Sequence, residues 1–218
     1  MLRSTFAAIS LSLVITSPAY SQTAARGDDS IAGTHAVTFQ PTQVGGTLVG
    51  CALVYRAVQF DHAYLGGEPV VAFGNIGVNQ TGGRIGLTLK VGIKALYEDA
   101  PFVSPNFAYI QTKNASTAKV KQSGQEVEKG FRYTVYSFFD PAVQSVFDDM
   151  VKSQKVTVAF NRQVNGLDVL IPIDLNVIDA TYPGGNSVAR VRSKETMNDF
   201  LGCFTKLLDQ AKSSLDKK

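Results

Sequence analysis

Few side chains in this sequence could carry out redox, metal or acid–base chemistry. Two cysteines, Cys51 and Cys203, are separated by most of the chain, and neither has the C-x-x-C spacing or the adjacent histidine that activates a thiol. A catalytic thiol is therefore not expected. With an even count and an exported chain, one disulfide is the expectation, and two cysteines allow a single pairing; the alternative is two buried free thiols. Two histidines, His35 and His62, fall short of the three or four ligands of a zinc site, and no H-x-x-x-H or H-E-x-x-H spacing occurs. No metal and no cofactor are expected.

Asp61-His62 is the dipeptide with an acid–base logic, because a carboxylate beside an imidazole can orient a general base. It supports one alternative, a periplasmic hydrolase using His62 and Asp61. Against it, G-x-S-x-G and S-x-x-K are absent, and the Gly-Gly pairs lack the Lys-Ser/Thr that completes a phosphate cradle. The main expectation is a non-enzymatic protein that acts by binding. Arg190, Arg192 and Lys194 alternate along one stretch and could offer a basic face to an anionic ligand, lipid or glycan; the same spacing also describes a solvated strand face. Lys113, Lys119, Lys121 and Lys129 have the same two readings.

These residues sit in a chain with an export address. Residues 1–21 carry Arg3, then an uncharged apolar run from Phe6 to Thr16, then small residues at Ala19 and Ser21, which is a signal-peptide pattern of bacterial type with cleavage before Gln22. The run is too short to span a bilayer, so no transmembrane anchor is expected, and the destination is the periplasm or the exterior. Residues 22–33 read as a flexible leader, 34–212 as a single β-rich domain and 213–218 as a polar tail. The 218 residues are 44% hydrophobic and 18% charged, which excludes disorder. A net charge of +3 comes from a small surplus of basic residues and not from a basic stripe, so nucleic acid is not an expected partner. Another envelope or extracellular protein is.

The elements that must position the side chains are mostly strands. Thr34–Phe39 reads as a short strand closed by Pro41, Thr47–Asp61 as a central strand apolar on both faces, and Val70–Val78 as a third. From Ile85 to Tyr97 apolar and polar residues alternate without a break, predicting one core face and one wet face, with Gly92 as a bulge. Phe107–Gln111 and Phe131–Phe138 follow, with Thr112–Gly130 between them as a projecting hairpin tipped by Ser123-Gly124. Asp140-Pro141 starts a helix over 140–153. Lys155–Arg162 and Leu167–Leu175 form a hairpin about Asn165-Gly166, and Pro183-Gly184-Gly185 lies in a loop. The last helix, 194–212, has an apolar stripe that includes Cys203, which ties it to the central strand carrying Cys51. The fold class is mainly β (α+β), an antiparallel β-sandwich-like sheet with two amphipathic helices.

Within this, an apolar helix from Val143, then Val156-Thr157-Val158-Ala159-Phe160, a Gly-containing turn, and Val169-Leu170-Ile171-Pro172-Ile173-Asp174-Leu175 follow in order. Residues 143–175 resemble the C-terminal half of the invasion-associated locus B family of small exported β-sandwich proteins. The resemblance implies a periplasmic, non-enzymatic accessory protein of envelope or host interaction. In that family a Gly-Phe-containing helix follows the last strand closely, whereas here some distance separates Leu175 from Phe200-Leu201-Gly202-Cys203.

Overall fold

Thirteen elements are arranged in three sheets and two helices in the computed structural model, which describes residues 31–81, 84–97, 99, 101–120, 123–182 and 188–215. The signal-peptide segment, the leader up to residue 30, Gly82-Gly83, Lys121, the Pro183-Gly184-Gly185 loop and the tail beyond Leu215 lie outside these residues. In chain order the elements are β1 (Gly33–Val44), β2 (Thr47–Asp61), β3 (Glu68–Thr81), β4 (Arg84–Ala95), β5 (Phe107–Gln111), β6 (Ser123–Glu128) and β7 (Phe131–Ser137). They continue with α1 (Pro141–Ser153), β8 (Lys155–Asn161), β9 (Val169–Asp174), β10 (Val177–Thr181), β11 (Ala189–Arg192) and α2 (Glu195–Leu215). A six-stranded sheet has the order β1-β2-β3-β4-β7-β6, a three-stranded sheet the order β5-β8-β9, and β10 pairs with β11. All pairings are antiparallel.

The alternation in the sequence explains the two facing layers. Leu53, Tyr55, Ile76, Leu87, Leu89 and Ile93 from the large sheet are fully or almost fully buried, as are Ile110, Val158, Phe160 and Ile171 from the small one, and all belong to one cluster. Burying each such side chain contributes roughly 1.5–3 kcal/mol. Two phenols inside this core are paired. Tyr136 Oη donates to Ala108 O at 3.1 Å and so joins the two sheets, while Tyr55 Oη crosses Gly74 to donate to Lys90 O at 3.3 Å. A Cβ on Gly74 would collide with that same carbonyl. Burial pushes both phenols well above their ordinary pKa.

The helices complete the second layer. Asp140 Oδ1 accepts from Ala142 N at 2.9 Å, Pro141 occupies the first turn where no N–H is needed, and Gln154 in the left-handed region closes α1 by donating to Met150 O. Phe147 of α1 lies 6.3 Å from Phe200 and 5.0 Å from Phe204 of α2, ring centre to ring centre. Met197, Phe200, Cys203 and Leu207 are the buried stripe of α2. Cys203 is disulfide-bonded to Cys51 of β2, with Cα atoms 6.0 Å apart.

Several sequence expectations change. Pro41 does not end the first strand: β1 runs on to Val44, because β1 is a sheet edge and a proline can point its missing donor outward there. The second face of β4 is not wet and Gly92 is not a bulge. The β3–β4 register is unbroken, and Gly92 is where the Phe131 ring lies on the strand, a Cβ there falling 2.6 Å from Phe131 Cε1. Phe73, Phe102 and Phe131 form a second aromatic cluster on that face, with the Lys90 ammonium 4.5 Å from the centre of the Phe131 ring. Ser123-Gly124 is the start of β6 and not a hairpin tip; the turn falls at Lys129-Gly130, where Gly130 has φ +86°. The connection from β8 to β9 spans Arg162–Asp168 and leaves Leu167 exposed, longer than the two-residue turn expected at Asn165-Gly166. The β10–β11 hairpin was not expected, since short polar strands flanking a Gly-rich loop carry little periodicity.

Candidate functional site

Arg190 and Arg192 both lie on β11, two residues apart and hence on one face. The β10–β11 hairpin rests against β1. Arg190 turns toward β1, its Nε donating to Thr34 O at 2.8 Å and its Nη2 to Ala32 O. Arg192 Nη1 pairs with Asp174 Oδ2 at the end of β9. Thr34 Oγ1 accepts from Asp174 N at 2.8 Å, which fastens the beginning of β1 to β9. Lys194 is exposed in the short link to α2 and lines no part of the cleft described next.

Between this hairpin and the edge of the small sheet lies a cleft of about 550 Å³. Its cationic lining is Arg190, Arg192, Lys113 and Lys155, against one carboxylate, Asp174. Lys113 and Lys155 come from elements far apart in sequence. β5 pairs with β8 as far as Gln111 opposite Thr157; the chain then turns away from the strand, and Lys113 in that turn and Lys155 at the start of β8 both line the cleft. Both lysines are exposed, and neither has an ion-pair partner among the described residues. The carboxylate beside Lys113 in the fold, Asp149, accepts from Thr112 Oγ1 at 3.0 Å and from Asn114 N at 3.2 Å and Nδ2 at 3.0 Å; the Thr112 bond foremost lowers its pKa. Pro172, Ile173 and Val177 supply apolar lining.

His35 stands beside the same hairpin. Its Nε2 lies 2.8 Å from Ile31 O, an acceptor only, so Nε2 donates, and Nδ1 is left to accept from Tyr182 Oη at 3.3 Å. Burial is the main cause of a lowered pKa, assisted by Arg190 and Arg56 and opposed by the Ile31 carbonyl.

Asp61 and His62 are not assembled as a catalytic pair. Asp61 is fully buried; its Oδ1 accepts from Tyr64 N at 2.9 Å and its Oδ2 from Arg162 Nε at 3.1 Å, so it holds the turn after β2 and the loop after β8. His62 is exposed, lies beside Gly67, has its ring 6.3 Å from Phe60, and lines neither the cationic cleft nor the neighbouring cleft of about 620 Å³ around Tyr64 and Arg162. Another groove, of about 690 Å³, runs between the β1–β2 hairpin and α2 past Phe39, Leu48, Gly202 and Cys203. Its charged lining, Asp199, Lys206 and Asp209, has no cationic excess. Among the described residues no group of three or more His, Cys, Asp or Glu could hold a metal ion, and no helix is long and apolar enough to cross a membrane.

The arrangement that sequence reasoning missed is the placement of Lys113 and Lys155 opposite the arginines. Its one signal is the pairing of β5 with β8, which no local spacing reveals. Fold and cleft together define an antiparallel, β-sandwich-like α+β protein with a cation-lined cleft. No protein-family profile, curated protein or solved structure matches the chain significantly.

Proposed function

We propose that this chain is an exported, non-enzymatic binding protein whose cleft between the β10–β11 hairpin and the small sheet takes a small anionic ligand. The observation that carries the reading is the charge of that cleft: Arg190, Arg192, Lys113 and Lys155 converge on it, and Asp174 opposes them. A concave site with a few converging charged groups above an apolar floor is the usual form of a small-molecule site. Export rests on residues 1–21, and a disulfide between β2 and α2 suits an oxidising compartment. The resemblance of residues 143–175 to the invasion-associated locus B family supports an accessory role in the envelope.

Thermal unfolding at low ionic strength tests the reading. Inorganic phosphate, citrate and a neutral sugar are each added to the chain lacking residues 1–21. The anions raise the midpoint and the sugar does not; a ligand at about a hundred times its Kd adds roughly 2.7 kcal/mol. An equal response in a Lys113→Ala/Lys155→Ala variant would place any binding elsewhere.

A further inference from the structure

The cations of the cleft form two banks. Lys113, just beyond β5, and Lys155, at the start of β8, line one side, and Arg190 and Arg192 stand on β11 on the other. We infer that the ligand carries two anionic groups on a short spacer, one received by the lysine bank and the other by the arginine bank. This rests on the reading of the cleft as an anion site and adds the shape of the anion.

Lys113 and Lys155 line the same side of the cleft and neither forms an ion pair among the described residues, so both gain from an anion placed beside them. The arginine bank is oriented before any ligand arrives. The Thr34 and Ala32 carbonyls hold Arg190 through Nε and Nη2, and Asp174 holds Arg192 through Nη1; among the described residues the remaining guanidinium N–H groups have no hydrogen-bond acceptor. Asp174 also faces Lys155 in the β8–β9 register. A carboxylate therefore stands between the banks, disfavouring negative charge at the centre of the cleft and favouring it at both ends. The volume of about 550 Å³ exceeds what one inorganic anion fills, and exposed Pro172 gives the spacer an apolar surface. Two phosphate groups on a sugar, or two carboxylates on a short chain, have this form.

Isothermal titration of the chain lacking residues 1–21, at low ionic strength, distinguishes the possibilities with three probes: fructose 1,6-bisphosphate, fructose 6-phosphate and pyrophosphate. The bisphosphate binds at least about ten-fold more tightly than either of the others, since it alone reaches both banks. Lys113→Ala/Lys155→Ala brings the bisphosphate down to the affinity of the monophosphate. Pyrophosphate binding as tightly as the bisphosphate would overturn the two-ended ligand in favour of compact charge. Equal affinity for mono- and bisphosphate would overturn it while leaving the anion cleft in place. Absence of binding by all three would overturn the anion cleft itself.

Discussion

Asp61 shows at the level of one residue why a reactive-looking dipeptide did not become a site. The pair Asp61-His62 was legible, but which way each side chain turns was not, because β2 ends at Asp61 and His62 lies in the turn that follows, where no period sets its direction. Asp61 goes inward to Arg162 and Tyr64, and His62 goes out. Asp61→Ala removes the ion-pair partner of the Arg162 guanidinium, whose Nη2 is already buried without a hydrogen-bond partner among the described residues. The expected cost is about 1–3 kcal/mol in urea unfolding, the range for stranding a buried polar partner, because the Arg162 side chain stays 25% exposed and is partly solvated. His62→Ala should leave the urea midpoint unchanged.

His35 makes a pH prediction at the same scale. Its folded pKa lies below the unfolded value of 6.5, so the unfolded chain binds more protons as the pH falls through this range. The stability associated with neutral His35 is complete above pH 6.5 and is lost as the pH falls through the folded value, where an imidazolium would face Arg190 and Arg56. Thermal midpoints measured down from neutrality should decline in the native chain and decline less in His35→Gln.

At the scale of elements, strand positions were largely readable and their coverings were not. The alternation of β4 correctly marked Leu87, Leu89, Val91 and Ile93 as core. What covers the opposite face, Phe102 and Phe131, arrives from segments beyond the strand, and a one-strand pattern cannot contain that information. Two glycine substitutions separate close packing from local propensity. Gly92→Ala drives a methyl group against Phe131 and the Gly130 carbonyl and should cost about 1–3 kcal/mol. Gly202→Ala on α2 meets nothing within 4 Å and should stabilise by up to about 1 kcal/mol through helix propensity. Urea midpoints shifting in the same direction for both variants would contradict this account of the two positions.

For the whole molecule, the disulfide and the cleft join parts of the chain that are distant in sequence. Cys51 and Cys203 are 152 residues apart, and closing a loop of that size contributes about 5 kcal/mol on the chain-entropy model. Cys51→Ala/Cys203→Ala should therefore lower the unfolding midpoint strongly, and reductant should do the same to the native chain. Either cysteine could be placed on its element from sequence, because each lies in a periodic apolar stretch. The cleft was half legible: Arg190 and Arg192 stood out by alternation, while Lys113 and Lys155 acquire meaning only because the pairing of β5 with β8 brings their ends together beside a cleft that a hairpin of almost no periodicity also lines.

The most direct test of the central claim maps binding by residue. Backbone amide NMR spectra of the chain lacking residues 1–21, recorded during addition of fructose 1,6-bisphosphate, should show shifts concentrated at Lys113, Lys155, Asp174, Arg190 and Arg192. Shifts confined to Phe39, Leu48 and the Asn198–Gln210 face of α2, or no shifts at all, would contradict it.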